Sequence, residues 1–202
     1  MSAFHTVASQ HAYRGFSSVR LDVLRGPDGE FTREVVEHPD AVAVVAVDDQ
    51  GRVALVRQHR QPLGADLLEI PAGTLDVDGE EPEGAAHREL AEETGLAAGT
   101  LVGLGAMWNS AGWSDERTTL YLATDLREAE RPEGFAPSDE EAVMVVEWEP
   151  LGVLVAAALD GTLEDAKTVV GVLRAHAALR EGAGAAAAGG AGTDGAGRDR
   201  SG

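Results

Sequence analysis

The run Arg88-Glu89-Leu90-Ala91-Glu92-Glu93 puts three carboxylates close together, directly after a Pro/Gly-rich acidic loop. At about 100° per helical residue, Glu89 and Glu93 fall one turn apart on one face. Glu92 falls about 60° to one side of Glu89, so all three project into one narrow sector. Like charges that close are unfavourable in a helix unless a cation sits between them. Hard divalent cations such as Mg²⁺ or Mn²⁺ prefer oxygen ligands, and Mg²⁺ commonly binds through one or two carboxylates plus substrate phosphates. The pattern predicts a helix that carries a metal-phosphate site.

The flanks support a helix beginning here. Pro82 suits the first turn, where a missing N–H costs nothing. Glu80, Glu81 and Glu83 complement the positive end of the helix dipole, and Gly95 suits the position just past the C-terminus. Ala86 and Leu90 supply an apolar stripe that would dock the helix onto a core. Arg88, four residues before Glu92, is spaced to pair with it.

These residues resemble the Nudix box, G-x5-E-x7-R-E-U-x-E-E-x-G-U with U aliphatic. Glu80, Arg88, Glu89, Leu90, Glu92, Glu93, Gly95 and Leu96 all match, and the loop from Gly73 to Glu80 is one residue longer than the pattern. Such a change in loop length costs little. Beyond the box, TREVVEHPDAVAVVAVDDQG, VRQHR and LLEIPAG are similar to the ADP-ribose pyrophosphatase branch, over roughly residues 15 to 180. The resemblance implies an α/β Nudix fold, an α/β/α sandwich with a mixed β-sheet. It also implies a small N-terminal antiparallel β extension, which packs on a second subunit and often exchanges with it. A homodimer is expected on that ground alone.

Hydrolysis of a pyrophosphate needs charge neutralisation, a more acidic water and a base. Mg²⁺, or alternatively Mn²⁺, held by Glu89, Glu93 and Glu92 would meet the first two needs, beside Arg88. In the resembled enzymes the backbone carbonyl before the box glycine is a further ligand, here that of Ala72. A carboxylate from a downstream loop completes the set. Ser138-Asp139-Glu140-Glu141 is the matching loop, with Glu141 expected as metal contact and general base and Glu140 or Asp139 as alternatives.

Arg60, at the end of VRQHR, has the planar fork that pairs with phosphate. Glu69 is expected to orient Arg60 or to contact a ribose. In Ser110–Arg117, which matches a ribose-contacting loop, Glu116 is the corresponding carboxylate and Ser114 stands beside it. Ala111 replaces the proline usual in that branch, a departure that bears on which nucleoside diphosphate sugar is cleaved. Arg33 would reach a neighbouring subunit's site if strands exchange. Trp108 and Trp113 are read as packing residues, and His59 and His87 as surface residues.

The elements that must position these groups are legible. Residues 16 to 37 alternate apolar and polar either side of Gly26-Pro27-Asp28-Gly29, the pattern of a β-hairpin. Ala41 to Val47 is a nearly continuous apolar run, suited to a strand buried on both faces. Further strands are expected over Arg52–Gln58, Leu101–Trp108, Thr118–Ala123 and Ala142–Trp148. Two helices would close the fold: Leu151–Leu159, and Leu163 to about Arg180 with Val169, Val170, Leu173 and Leu179 inward. The expected division is 1–40 as the β extension, 41–180 as the hydrolase domain and 181–202 as a disordered Gly/Ala-rich tail.

Composition sets the remaining bounds. The 202 residues allow one domain with a sizeable core, and the absence of cysteine excludes thiol chemistry. A formal charge of −19 argues against a nucleic-acid surface. No apolar run spans a membrane and no signal pattern opens the chain, so a cytoplasmic enzyme is expected. The favoured activity is hydrolysis of ADP-ribose to AMP and ribose 5-phosphate. The alternatives are another nucleoside diphosphate sugar or a dinucleotide as substrate, or a non-catalytic module that binds ADP-ribose.

Overall fold

A computed structural model describes residues 2–131 and 143–190, with side chains to residue 182. Among the described residues, ten strands and three helices follow in chain order. Strands β1 (His5–Arg14), β2 (Ser18–Gly26) and β3 (Gly29–Glu37) form an antiparallel sheet in that order. The β2–β3 hairpin turns where the Gly26–Gly29 motif predicts, with Gly26 opposite Gly29. Strand β1 falls within the 1–40 β extension but ahead of the hairpin that the alternation marks. All ten of its residues are exposed, so it carries no buried face for a hydrophobic pattern to announce.

The second sheet has seven strands: β4 (Ala41–Val47), β5 (Arg52–Arg60), β6 (Ala65–Glu69), β7 (Ala72–Thr74), β8 (Leu96–Trp108), β9 (Arg117–Glu128) and β10 (Val145–Pro150). The main order is β10-β5-β4-β9-β8, with β6 added to β5 and β7 to β4. Among the described strands only the β4–β9 pair is parallel, so the sheet is mixed. Strand β4 is buried throughout and alternates between two cores. Ala43, Val45 and Val47 face one with Leu151, Leu154, Val172 and Ala175, from helices α2 (Leu151–Asp160) and α3 (Ala166–Gly190). Val42, Val44 and Ala46 face the other with Ala85, Ala86 and Leu90 of helix α1 (Pro82–Thr94). The sheet lies between these helix layers, as a sandwich requires.

Four expectations are corrected. β8 starts at Leu96, directly after the helix, and β10 starts at Val145; Ala142 lies outside the described residues. The inward face of α3 is Thr168, Val172 and Ala175, with Val170 and Leu179 packed beside it, while Val169 and Leu173 are only half-buried. That helix also continues to Gly190, past the expected end near Arg180; its Ala-rich composition favours helix more than the tail reading allowed. Residues 191–202 lie outside the described residues.

Candidate active site

Helix α1 begins with Pro82 at its first turn and ends at Gly95, which takes the left-handed conformation (φ 69°) and returns its N–H to Ala91 O at 2.9 Å. Ala85, Ala86 and Leu90 bury one face against β4. Glu89 is next to Leu90 and is carried inward with it, leaving 9% of its surface exposed. Its carboxyl group lies against Gly73, where any β-carbon would overlap it. Glu93, one turn on, accepts the Ala72 N–H at 2.9 Å. The helix carboxylates thus back onto Ala72–Gly73 of β7.

Arg88 is the clamp of this cluster. Its Nη2 pairs with Glu80 at 2.9 Å, and its Nη1 with Glu89 at 2.7 Å and Glu92 at 2.9 Å. Burial pushes the Glu89 carboxyl up to about 7, against the opposing Arg88 charge. It pushes Glu93 up to about 8, although the Ala72 N–H, Lys167 and Arg60 favour the anion. Two carboxylates under such a desolvation load are a hard-oxygen donor set suited to a divalent cation. Among the described residues, no three His, Asp or Glu side chains form a ready-made cage. A cation here would also draw on backbone, water or substrate oxygens, as Mg²⁺ sites commonly do.

Ala72 and Gly73 also line a cavity of about 620 Å³, which no residue of helix α1 lines. At one wall stands Glu69, completely buried. Arg60 grips it with both prongs, Nε to Oε1 at 2.7 Å and Nη2 to Oε2 at 2.5 Å. Lys167 of α3 pairs with the same carboxylate, and Gln58 Nε2 donates to it at 3.4 Å. Burial raises the Glu69 pKa, but the Arg60 hydrogen bonds and the Lys167 charge outweigh it and hold the group below its ordinary 4.5. At the other wall His38 Nδ1 lies 3.7 Å from Glu116 Oε1, with Phe16 edge-on to the imidazole at 5.3 Å.

A NUDIX domain model matches residues 37–170. The chain belongs to the Nudix family. It is 44% identical over 176 residues to the ADP-ribose pyrophosphatase of Mycobacterium tuberculosis, covering 86% of this chain and 84% of that protein. An ADP-ribose pyrophosphatase of Bacillus subtilis is 37% identical over 169 residues, covering 83% and 89%. A crystal structure of an ADP compounds hydrolase superposes with a TM-score of 0.77 over 90% of this chain and 97% of that one. At 21% identity that likeness speaks for the fold alone. Nudix proteins typically use a divalent metal.

Within this Nudix fold, Arg60, Glu69, Ala72 and Glu116 gather around one cavity, with Glu89 and Glu93 behind Ala72–Gly73. Both Glu69 oxygens are taken by cations and its side chain is 1% exposed, so in this structure it braces Arg60. Ser114 does not line the cavity; its Oγ accepts the Glu116 N–H at 3.2 Å. Its loop is tied to β3 by Val36 N–H to Trp113 O at 2.7 Å and Asp115 N–H to Val36 O at 3.1 Å. Arg33 does not line the cavity either and stacks over Phe31 at 4.5 Å. Trp108 and Trp113 are 58% and 59% exposed, which corrects their reading as packing residues. Asp139, Glu140 and Glu141 lie outside the described residues. Sequence reasoning missed Lys167, His38 and Phe16. For Lys167 a signal existed: it is the only lysine of the chain.

Proposed function

We propose that this Nudix protein hydrolyses the pyrophosphate bond of ADP-ribose to AMP and ribose 5-phosphate, with Mg²⁺ as its ion and Mn²⁺ as a substitute. One observation carries the reading. Two desolvated helix carboxylates back onto Ala72–Gly73, and the same two residues line a cavity that holds an arginine. The two relatives named as ADP-ribose pyrophosphatases support the choice of substrate.

The reaction is attack of water on one phosphorus. A new P–O bond forms, the bridging P–O bond breaks, and the leaving phosphate departs with its oxygen. Glu89, Glu93, Glu92 and the Ala72 carbonyl would hold the ion, which neutralises the pyrophosphate and makes the water more acidic. Arg88 keeps Glu89 and Glu92 in place. Arg60, fixed by Glu69, offers its remaining N–H groups to a phosphate. Glu141 would take the proton from water, with Glu140 or Asp139 as its alternatives. Glu116 would accept from ribose hydroxyls.

A homodimer fits the fully exposed β1 and the exposed Phe4, Tyr13 and Phe16 nearby. Arg33 would then serve the partner's cavity. A second reading, another nucleoside diphosphate sugar as substrate, rests on Ala111 in the ribose loop. An assay of ADP-ribose, other nucleotide sugars, dinucleotides and nucleoside triphosphates with each metal separates the two. The highest kcat/KM is expected for ADP-ribose, and a tenfold preference for another sugar would favour the second.

A further inference from the structure

We propose that Lys167 is a substrate-binding residue: with Arg60 it forms a two-cation clamp for the substrate's diphosphate, both cations being set in place by the buried carboxylate of Glu69. The inference rests on the reading of this cavity as the diphosphate site, and it adds a residue outside the Nudix box and outside the strand that carries Arg60.

The clamp is visible in the donor count. An ammonium has three N–H donors. Lys167 gives one to Glu69 and one to Asp165 Oδ1 at 3.0 Å, leaving a third. A guanidinium has five, and Arg60 uses its Nε and one Nη2 donor on Glu69. Both side chains line the same cavity, and among its described lining residues they are the only Lys or Arg. In a chain of net charge −19, an anionic substrate entering that cavity meets no other Lys or Arg among its described lining residues.

Placement also argues for a role beyond bracing. Lys167 stands in the first turn of α3, the positive end of the helix dipole, where a cation is disfavoured. Asp165 caps that turn, accepting the Thr168 N–H at 2.9 Å, and it also holds the ammonium. Every other Lys or Arg position in the sequence is arginine. The socket between two carboxylates leaves the Lys167 side chain 13% exposed. Glu69 and Asp165 balance the two cations before substrate arrives, so they do not repel each other.

A simple brace between α3 and β6 would cost stability when lost and leave substrate affinity alone. The test compares the full-length wild type with Lys167→Met and Lys167→Arg, using ADP-ribose and Mg²⁺. For Lys167→Met we expect KM to rise by about tenfold or more, kcat to change much less, and Lys167→Arg to recover part of the loss. Lysine-selective ¹³C labelling gives a single side-chain signal, which should shift saturably as wild type is titrated with α,β-methylene ADP-ribose. An unchanged KM in a folded Lys167→Met, or no shift in a wild type that hydrolyses ADP-ribose, overturns the clamp. A wild type inactive on ADP-ribose overturns the substrate reading instead. The lysine signal's saturable response to inorganic pyrophosphate with Mg²⁺ would then still support the clamp, and its absence would overturn it.

Discussion

Gly73 and Glu89 are packed so closely that a β-carbon on the glycine would overlap the glutamate's carboxyl group. The close approach fixes the carboxylate against strand β7, beside the Ala72 amide that holds Glu93. The glycine that opens the Nudix box is therefore there for want of a side chain; its backbone is not in the left-handed region.

Gly73→Ala should displace Glu89 and cost stability of about 1–3 kcal/mol from overpacking. Turnover should fall further, by about 100-fold, because a misplacement near 1 Å at a catalytic group has that effect. Thermal melts and steady-state rates check both. Wild-type activity in this variant would show that Glu89 needs no fixed position.

Mg²⁺ should stabilise the folded protein more strongly as pH rises. Burial lifts Glu89 to about 7 and Glu93 to about 8, from an ordinary 4.5. The folded state therefore holds these protons more tightly than the unfolded chain, and stability without metal falls as pH rises between 4.5 and about 8. A bound cation favours the ionised pair and opposes that loss. Melting temperatures with and without Mg²⁺ should diverge over this window. Glu93→Gln should be at least as stable as wild type without metal, and should respond much less to it.

Glu69→Gln should loosen Arg60 and Lys167 together. At neutral pH the loss is expected at about 1–3 kcal/mol, with KM raised. The folded pKa of Glu69 lies below 4.5, so its contribution is present above 4.5 and lost as pH falls through that lower value. The stability gap between variant and wild type should accordingly close in acid. A gap that persists under acid denaturation would mean that the charge of Glu69 is not what holds the pair.

Legibility in the sequence follows how local each signal is. Helix α1 has its proline, its glycine and its charge pairs within one short stretch, and the Arg88–Glu92 pair appears as the spacing requires. Strand β4 announces itself by unbroken burial. The Glu69–Lys167 contact joins residues far apart in sequence, and nothing in either segment alone points to the other. Trp108 and Trp113 illustrate a different limit: a tryptophan's size says that it gains from burial, but not whether its own chain supplies the cover.

The exposed first strand predicts association. Sedimentation should give a dimer for the full chain, and removal of residues 1–14 should give a monomer with reduced kcat/KM. A monomeric full chain of normal activity would remove Arg33 from the site and leave each cavity self-sufficient.

The central claim is that the α1 carboxylates and the adjoining cavity cleave ADP-ribose, and product analysis tests it most directly. Wild type and Glu93→Gln are incubated with ADP-ribose and Mg²⁺, and the products are resolved by mass spectrometry. The account predicts AMP and ribose 5-phosphate in equal amounts from wild type, and neither from the variant. Undiminished product from Glu93→Gln, or no cleavage of ADP-ribose by a folded wild type, would contradict it.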